Sequence, residues 1–501
     1  MKVLSAGLVG VSLLSLASAQ NSAKWWKKPL VNSIALEAHI KLRDLLHGSQ
    51  QLENFAYQWP DRNRVFGSPA HDATVNYLIK ELEETGYYDV YKQPQVHLWT
   101  KGDQNLTVDG KAIEAQAMTY SPSGNFEAEL SLVANLGCDA TDYASDIAGK
   151  IALIKRGTCS FAEKSILAAS ANAVAAIVYN NAAEGVMGGT LGGPSNPAEP
   201  YVPIVGISLA DASSIVDQLA SGPVAAKLNV LTEMENRTTY NVIAQTKGGD
   251  PNNVVMLGAH TDSVEAGPGI NDDGSGTISN LVIAKALSKF SVKNAVRFGF
   301  WTAEEFGLLG SEFYVANLNE TERAKIRLYL NFDMIASPNY AYMVYDGDGD
   351  TFNQTGPAGS AEIEHLFQHY FAVRGLKTIA TEFDGRSDYA AFIENGIPAG
   401  GLFTGAEGIK TEDEAAVFGG EAGVAYDANY HAVGDNMTNL NPTAFLVNSR
   451  ATAYAVAKYA VNLDSIPSRI ATAQRRHVSY RRDTPVHKHT HGGCAKSRVS
   501  S

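Results

Sequence analysis

The chain has 501 residues, 45% apolar and 19% charged, which is enough for two or three cores and indicates neither a disordered chain nor a membrane bundle. The formal net charge is −13, although the last segment, Pro467–Ser501, carries eight Lys or Arg against one Asp, so the body is more acidic still. Nucleic acid is therefore excluded as an expected partner, because phosphate recognition needs a basic footprint.

At the N-terminus, Lys2, the apolar run Val3–Leu16 and the small residues Ala17, Ser18 and Ala19 read as a signal peptide over 1–19. The run is shorter than the roughly 20 residues of a spanning helix. Secretion is expected, with a vacuolar destination as the alternative and no membrane partner. Asn105, Asn236, Asn319, Asn353 and Asn436 each stand two residues before a Thr and suit surface glycosylation on that route. Of the three cysteines, Cys138 and Cys159 can form one bridge, and Cys494 remains in the basic tail.

Apolar residues at helical spacing mark 31–85, followed by a strand over Val90–Trp99. From about 115 to 235, short β-type runs (Ile151–Ile154, Ala176–Tyr179, Val202–Ile207) surround an Ala-rich helix and a Gly/Pro-rich loop, the texture of an inserted domain. The residues of 20–114 and 236–466 then form one body around it. After Asn241, apolar strands (Val254–Leu257, Val296–Trp301, Ile326–Phe332) alternate with helices (Thr277–Leu287, Ala361–Val373, Pro442–Val461), the pattern of an α/β layer with a mixed, largely parallel sheet sandwiched by helices. Periodicity stops at about 467, and the segment 467–501 is expected to be disordered.

Open α/β sheets gather sites at the carboxyl ends of their strands. Three strands here end in metal-ligand types: VVMLGAHTDS brings His260 and Asp262, VRFGFWTAEEFG brings Glu304 and Glu305, and RLYLNFDMI brings Asp333. The turn NDDGSGT adds Asp272 and Asp273, and Tyr430-His431 adds a second imidazole. Mixed imidazole and carboxylate donors suit zinc, and the set exceeds one tetrahedral ion, so two ions sharing a carboxylate are expected. Neighbours at a strand end project in different directions, so Glu304 and Glu305 can divide into a general base and a ligand. His365 and His369 lack the Glu of the zincin helix, and Asp346, Asp348 and Asp350 lack the Gly and Glu of an EF-hand loop; helix surface and turn are the favoured readings.

With these motifs, from GAHTDS to YHAVGDN, the chain resembles the co-catalytic dizinc aminopeptidases of the aminopeptidase Y type, the secreted fungal leucine aminopeptidases among them. The resemblance implies that His260 and Asp333 hold one Zn2+, that Glu305 and His431 hold the other, and that Asp272 bridges them. It casts Glu304 as general base, Asp262 as the carboxylate orienting His260, and Tyr430 as donor to the oxyanion. It also places Arg386, Leu402 and Phe403 near the pocket for the first side chain. Tyr389 stands where many relatives carry His. The segment RGTCSFAEKSILAASANAVAAIVYNN resembles a protease-associated domain. The expected activity is removal of an apolar N-terminal residue, Leu foremost, from free-amine peptides by a metal-bridging hydroxide, in a monomer. Rival readings are a carboxypeptidase or glutaminyl cyclase on the same scaffold, and a catalytically silent binding protein.

Overall fold

The computed structural model describes residues 28–181, 185–195 and 197–468. The signal peptide over 1–19 and the tail from 469 onward, with Cys494, lie outside them. The described chain forms two compact units, one spanning Val96–Thr238 and the other made of the residues on either side.

In the larger unit, three helices come first: Ser33–His39, Leu42–Tyr57 and Pro69–Glu84. Leu45, Leu52 and Ala56 form a buried stripe on the second, and Val75, Leu78 and Leu82 on the third, as 3.6-residue periodicity requires. The third starts where the Ser68 hydroxyl accepts the His71 N–H and Pro69 stands inside the first turn.

The sheet of this unit centres on the strand Asp250–His260, parallel on one side to Asn294–Trp301 and on the other to Ile326–Phe332. Ile326–Phe332 is also parallel to Ala399–Phe403. Antiparallel pairings occur at Val242–Gln245 and at the short strand Met343–Tyr345, so the sheet is mixed and largely parallel. The central strands are buried almost throughout, which explains their unbroken apolar runs. The helices Gly274–Leu287, Ser360–Ala372 and Pro442–Tyr459 start or end within a few residues of the expected bounds. Gly274–Leu287 is covered nearly all round: twelve of its residues are buried, Ser275, Thr277, Ser279 and Asn280 among them. Its first turn abuts a strand end: a Cβ on Gly276 would lie 1.9 Å from the Phe332 carbonyl oxygen, so only glycine fits.

The smaller unit is a sheet in which Gly124–Leu132, Ile151–Lys155, Ala175–Tyr179 and Ile204–Ile207 run parallel in that order. Ile151 and Leu153 enter one apolar cluster and Ala152 and Ile154 another, so both faces are covered. The helix Phe161–Ser170 begins with a reciprocal cap between Ser160 and Glu163. Cys138 and Cys159 are joined in a disulfide. The unit begins at Val96, earlier than the expected 115, because the strand expected at Val90–Trp99 extends over Tyr88–Val108.

Candidate metal centre

The three parallel strands deliver their last residues to one edge of the sheet. His260 closes its strand, Glu304 and Glu305 follow Trp301, and Asp333 follows Phe332. The backbone turns sharply beside each group: Ala303, Met334 and His431 have φ of 54°, 48° and 54°. Left-handed conformations cost non-glycine residues on the order of 1–3 kcal/mol each, so surrounding contacts hold them there.

Asp272 stands between the two imidazoles. Its Oδ1 is 3.1 Å from His260 Nε2 and its Oδ2 is 3.1 Å from His431 Nε2. Around His260 Nε2, Glu304 Oε2 and Asp333 Oδ1 each lie at 3.8 Å; around His431 Nε2, Glu305 Oε2 lies at 2.9 Å. Two donor groups close enough to hold an ion result, one of His260, Glu304 and Asp333 and one of His260, Asp272 and Glu305. Glu305 Oε1 and Asp333 Oδ1 are buried with no hydrogen-bond partner, an expensive state unless a cation completes it. The donor set therefore fits zinc.

Electrostatics point the same way. Burial disfavours charge on His260 and His431, yet the carboxylates win: Glu304, the nearby Asp262 and the hydrogen bond to Asp272 hold His260 well above its ordinary value, and Glu305 and Asp272 push His431 to about 10. Burial raises Glu304 well above the carboxylate range, reinforced by Asp333 and Glu305, and raises Asp333 to about 6. Both the imidazoles and the carboxyls Glu304 and Asp333 are thus shifted toward holding protons, and binding a cation releases protons from such a cluster.

Asp262 does more than face His260. Its Oδ1 is 3.6 Å from His260 Nδ1, beyond hydrogen-bond range, while its two oxygens accept the backbone N–H of Glu304 at 3.1 Å and of Glu305 at 3.4 Å. It thereby pins the glutamate pair. Asp273 is not among the grouped donors: it caps the helix Gly274–Leu287 through the Gly276 N–H and accepts the N–H groups of His260 and Met334, tying two strand ends together. Tyr430 stacks on His431 with ring centres 3.8 Å apart, and its hydroxyl accepts a 3.0 Å hydrogen bond from Arg386, which also pairs with Glu407 at 2.9 Å.

Leu402 is corrected as a pocket residue. Alternation along Ala399–Phe403 turns it, fully buried, into the main apolar core beside Leu330 and Phe332, while Phe403 keeps a partly open face. His365 and His369 are exposed on their helix. Asp346, Asp348, Asp350 and Glu364 lie together, with Asp346 and Glu364 taken up by backbone N–H groups, as a turn requires. Asn105, Asn236, Asn319 and Asn353 are exposed; Asn436 is half-buried and caps a short 3-10 turn.

Several positioning groups escaped the motif reading. Trp301 Nε1 donates to Tyr329 Oη, Tyr329 Oη to Asn331 Oδ1, Asn331 Nδ2 to Ser387 Oγ, and Ser387 Oγ to Asp333 Oδ2 at 2.6 Å. Only the spacing of Asn331, two residues before Asp333 on the same strand face, signalled part of this relay. Asp435 accepts the N–H groups of Asn271 and Asp272 at 2.8 and 3.0 Å, linking the His431 loop to the shared carboxylate.

A parallel-centred α/β sheet carrying an imidazole–carboxylate cluster at its carboxyl edge defines a metal-dependent hydrolase. Residues 241–456 match Peptidase family M28 and residues 126–215 match the PA domain. The chain is 65% identical to a probable leucine aminopeptidase 2 of Aspergillus fumigatus over 97% of its length and 98% of that protein. Among solved structures it is similar to an aminopeptidase from Aneurinibacillus sp. strain AM-1 (29% identity, TM-score 0.69, covering 87% of this chain and 97% of that one). It is also similar to a zinc aminopeptidase from Bacillus subtilis (25% identity, TM-score 0.63, 86% and 97%). The chain belongs to peptidase family M28 and is an aminopeptidase.

Proposed function

We propose that this zinc-dependent aminopeptidase uses two zinc ions to remove an apolar N-terminal residue, Leu foremost, from peptides with a free amine. One observation carries the count of two: Asp272 presents one oxygen to each imidazole, and each imidazole has a further carboxylate of its own. His260 and Asp333 would hold one ion, Glu305 and His431 the other, with Asp272 shared. Bound zinc supplies Lewis-acid polarisation of a carbonyl and acidifies a water.

The chain's own residues supply the rest. Glu304, raised by burial and by neighbouring carboxylates, is poised to accept the proton of the attacking water and return it to the leaving amine. Tyr430 is held protonated, because burial raises it well above its ordinary value, and its oxygen already accepts from Arg386. Its own O–H is then free to donate to the oxyanion. Carboxylates around the centre attract the substrate ammonium, and Arg386 and the open face of Phe403 border the first side chain. The signal segment, the exposed sequons and the Cys138–Cys159 bridge support secretion and glycosylation, and because one chain carries every site group, a monomer suffices.

The test is hydrolysis of a panel of free-amine and blocked aminoacyl substrates with and without chelator, alongside zinc titration of the metal-free enzyme. Leu-first activity on free amines, lost with chelator and regained at two zinc per chain, is expected. Full activity at one zinc, or cleavage confined to blocked substrates, refutes the proposal.

A further inference from the structure

We infer that Arg64 is a positioning residue for the metal centre: its guanidinium locks the segment Thr261–Gly269 that joins the His260 and Asp262 strand end to Asp272. The inference rests on the two-zinc reading above.

Arg64 is fully buried, and each of its three guanidinium nitrogens donates to a backbone carbonyl of that one segment. Nε donates to Pro268 O at 2.8 Å, Nη1 to Thr261 O and Nη2 to Gly269 O. Its backbone joins in: the Arg64 N–H donates to Ser263 Oγ at 2.8 Å, and the Ser263 N–H donates back to Arg64 O at 3.3 Å. Ser263 Oγ in turn lies 3.0 Å from Gly267 O, and Asn63 Nδ2 donates to Glu265 O at 3.0 Å. The segment folds tightly enough over the guanidinium that a Cβ on Gly269, where φ is +63°, would lie 2.4 Å from Asp272 O and 2.5 Å from Ser263 Cβ.

The consequence for the centre is geometric. Thr261 lies between His260 and Asp262, and Gly269 is three residues from Asp272, so the clamp grips both ends of the segment that sets the distance between one imidazole and the shared carboxylate. Metal affinity requires such donors to be held within about 0.5 Å of their working positions. Only a planar fork with five N–H donors meets three carbonyls arriving from different sides; a lysine ammonium keeps the charge and loses that arrangement. Burial disfavours the charged guanidinium, and Asp262, Asp435, Asp273 and Asp272 oppose that penalty, so the cation belongs to the acidic cluster it organises.

Arg64→Lys tests geometry at constant charge. In equilibrium competition with a chelator, the full chain carrying R64K is expected to bind zinc about 10–100-fold more weakly, as when groups behind metal ligands are removed. At saturating zinc kcat falls while KM for Leu substrates holds, because no pocket group has changed. Ser263→Ala removes one clasp and is expected to weaken zinc about 2–10-fold, the worth of one hydrogen bond; it decides the matter if R64K yields no folded protein. Arg297→Lys is the control, since Arg297 is a buried cation bound to Gln245 and Tyr314 instead of this segment. It is expected to lower Tm and leave zinc affinity alone. Wild-type zinc affinity in folded R64K, or in S263A alone where R64K does not fold, overturns the inference and leaves the two-zinc reading standing. So does an R297K protein that loses as much zinc affinity as R64K at equal Tm loss. A wild-type chain that binds no zinc overturns both.

Discussion

His71 makes the peptidase unit sensitive to acid, by an amount the structure sets. The ring is fully buried behind the metal centre, with Nε2 2.9 Å from Thr261 Oγ1, and burial, aided by Arg64 and His260, lowers it to about 4 from an ordinary 6.5 despite Asp262. Because the folded value is depressed, the unfolded chain binds this proton first, and the contribution of His71 to stability falls as pH falls from about 6.5 toward 4. Taking those two values, protonating the unfolded state at pH 4.5 costs the fold about 2.5 kcal/mol relative to pH 7.5. Replacing the ring by an amide in His71→Gln removes that contribution: the variant is less stable than wild type at pH 7.5, and the gap narrows by about 2.5 kcal/mol at pH 4.5. The assay is urea unfolding of the chelator-treated enzyme, read by hydrogen exchange of the Asp250–His260 strand amides so that only this unit reports. Wild-type and H71Q stabilities that run parallel over the whole range would refute the reasoning.

Other substitutions probe the site directly. Glu304→Gln keeps a side chain of the same shape while removing the base; kcat should fall about 10²–10⁴-fold with zinc content by metal analysis unchanged. Ser387→Ala deletes the 2.6 Å hydrogen bond to Asp333, and chelator competition should show zinc held about 10–100-fold more weakly. Leu402→Ala should cost about 2–5 kcal/mol in urea unfolding, as for other buried leucines, with the ranking of N-terminal residues in a substrate panel unchanged.

The sequence alone determined the chemistry of the donors and the architecture that presents them. Apolar strands ending in His260, Glu304, Glu305 and Asp333 are local patterns: strand periodicity needs only near neighbours, and a run of buried residues ending in charged ones reads the same way wherever it lies in the chain. The alternation that makes one of Leu402 and Phe403 face the core was equally local, but which of them does so depended on the helices packed against that face. Tertiary structure alone decided the relay that ends on Asp333 through Ser387 and the grip of Arg64 on Thr261–Gly269. Each of these joins residues far apart in the chain through one or a few hydrogen bonds or close contacts. Such pairings leave no periodic trace: a single Arg, Ser or Asp has many partners open to it until the packed core brings one within about 3 Å.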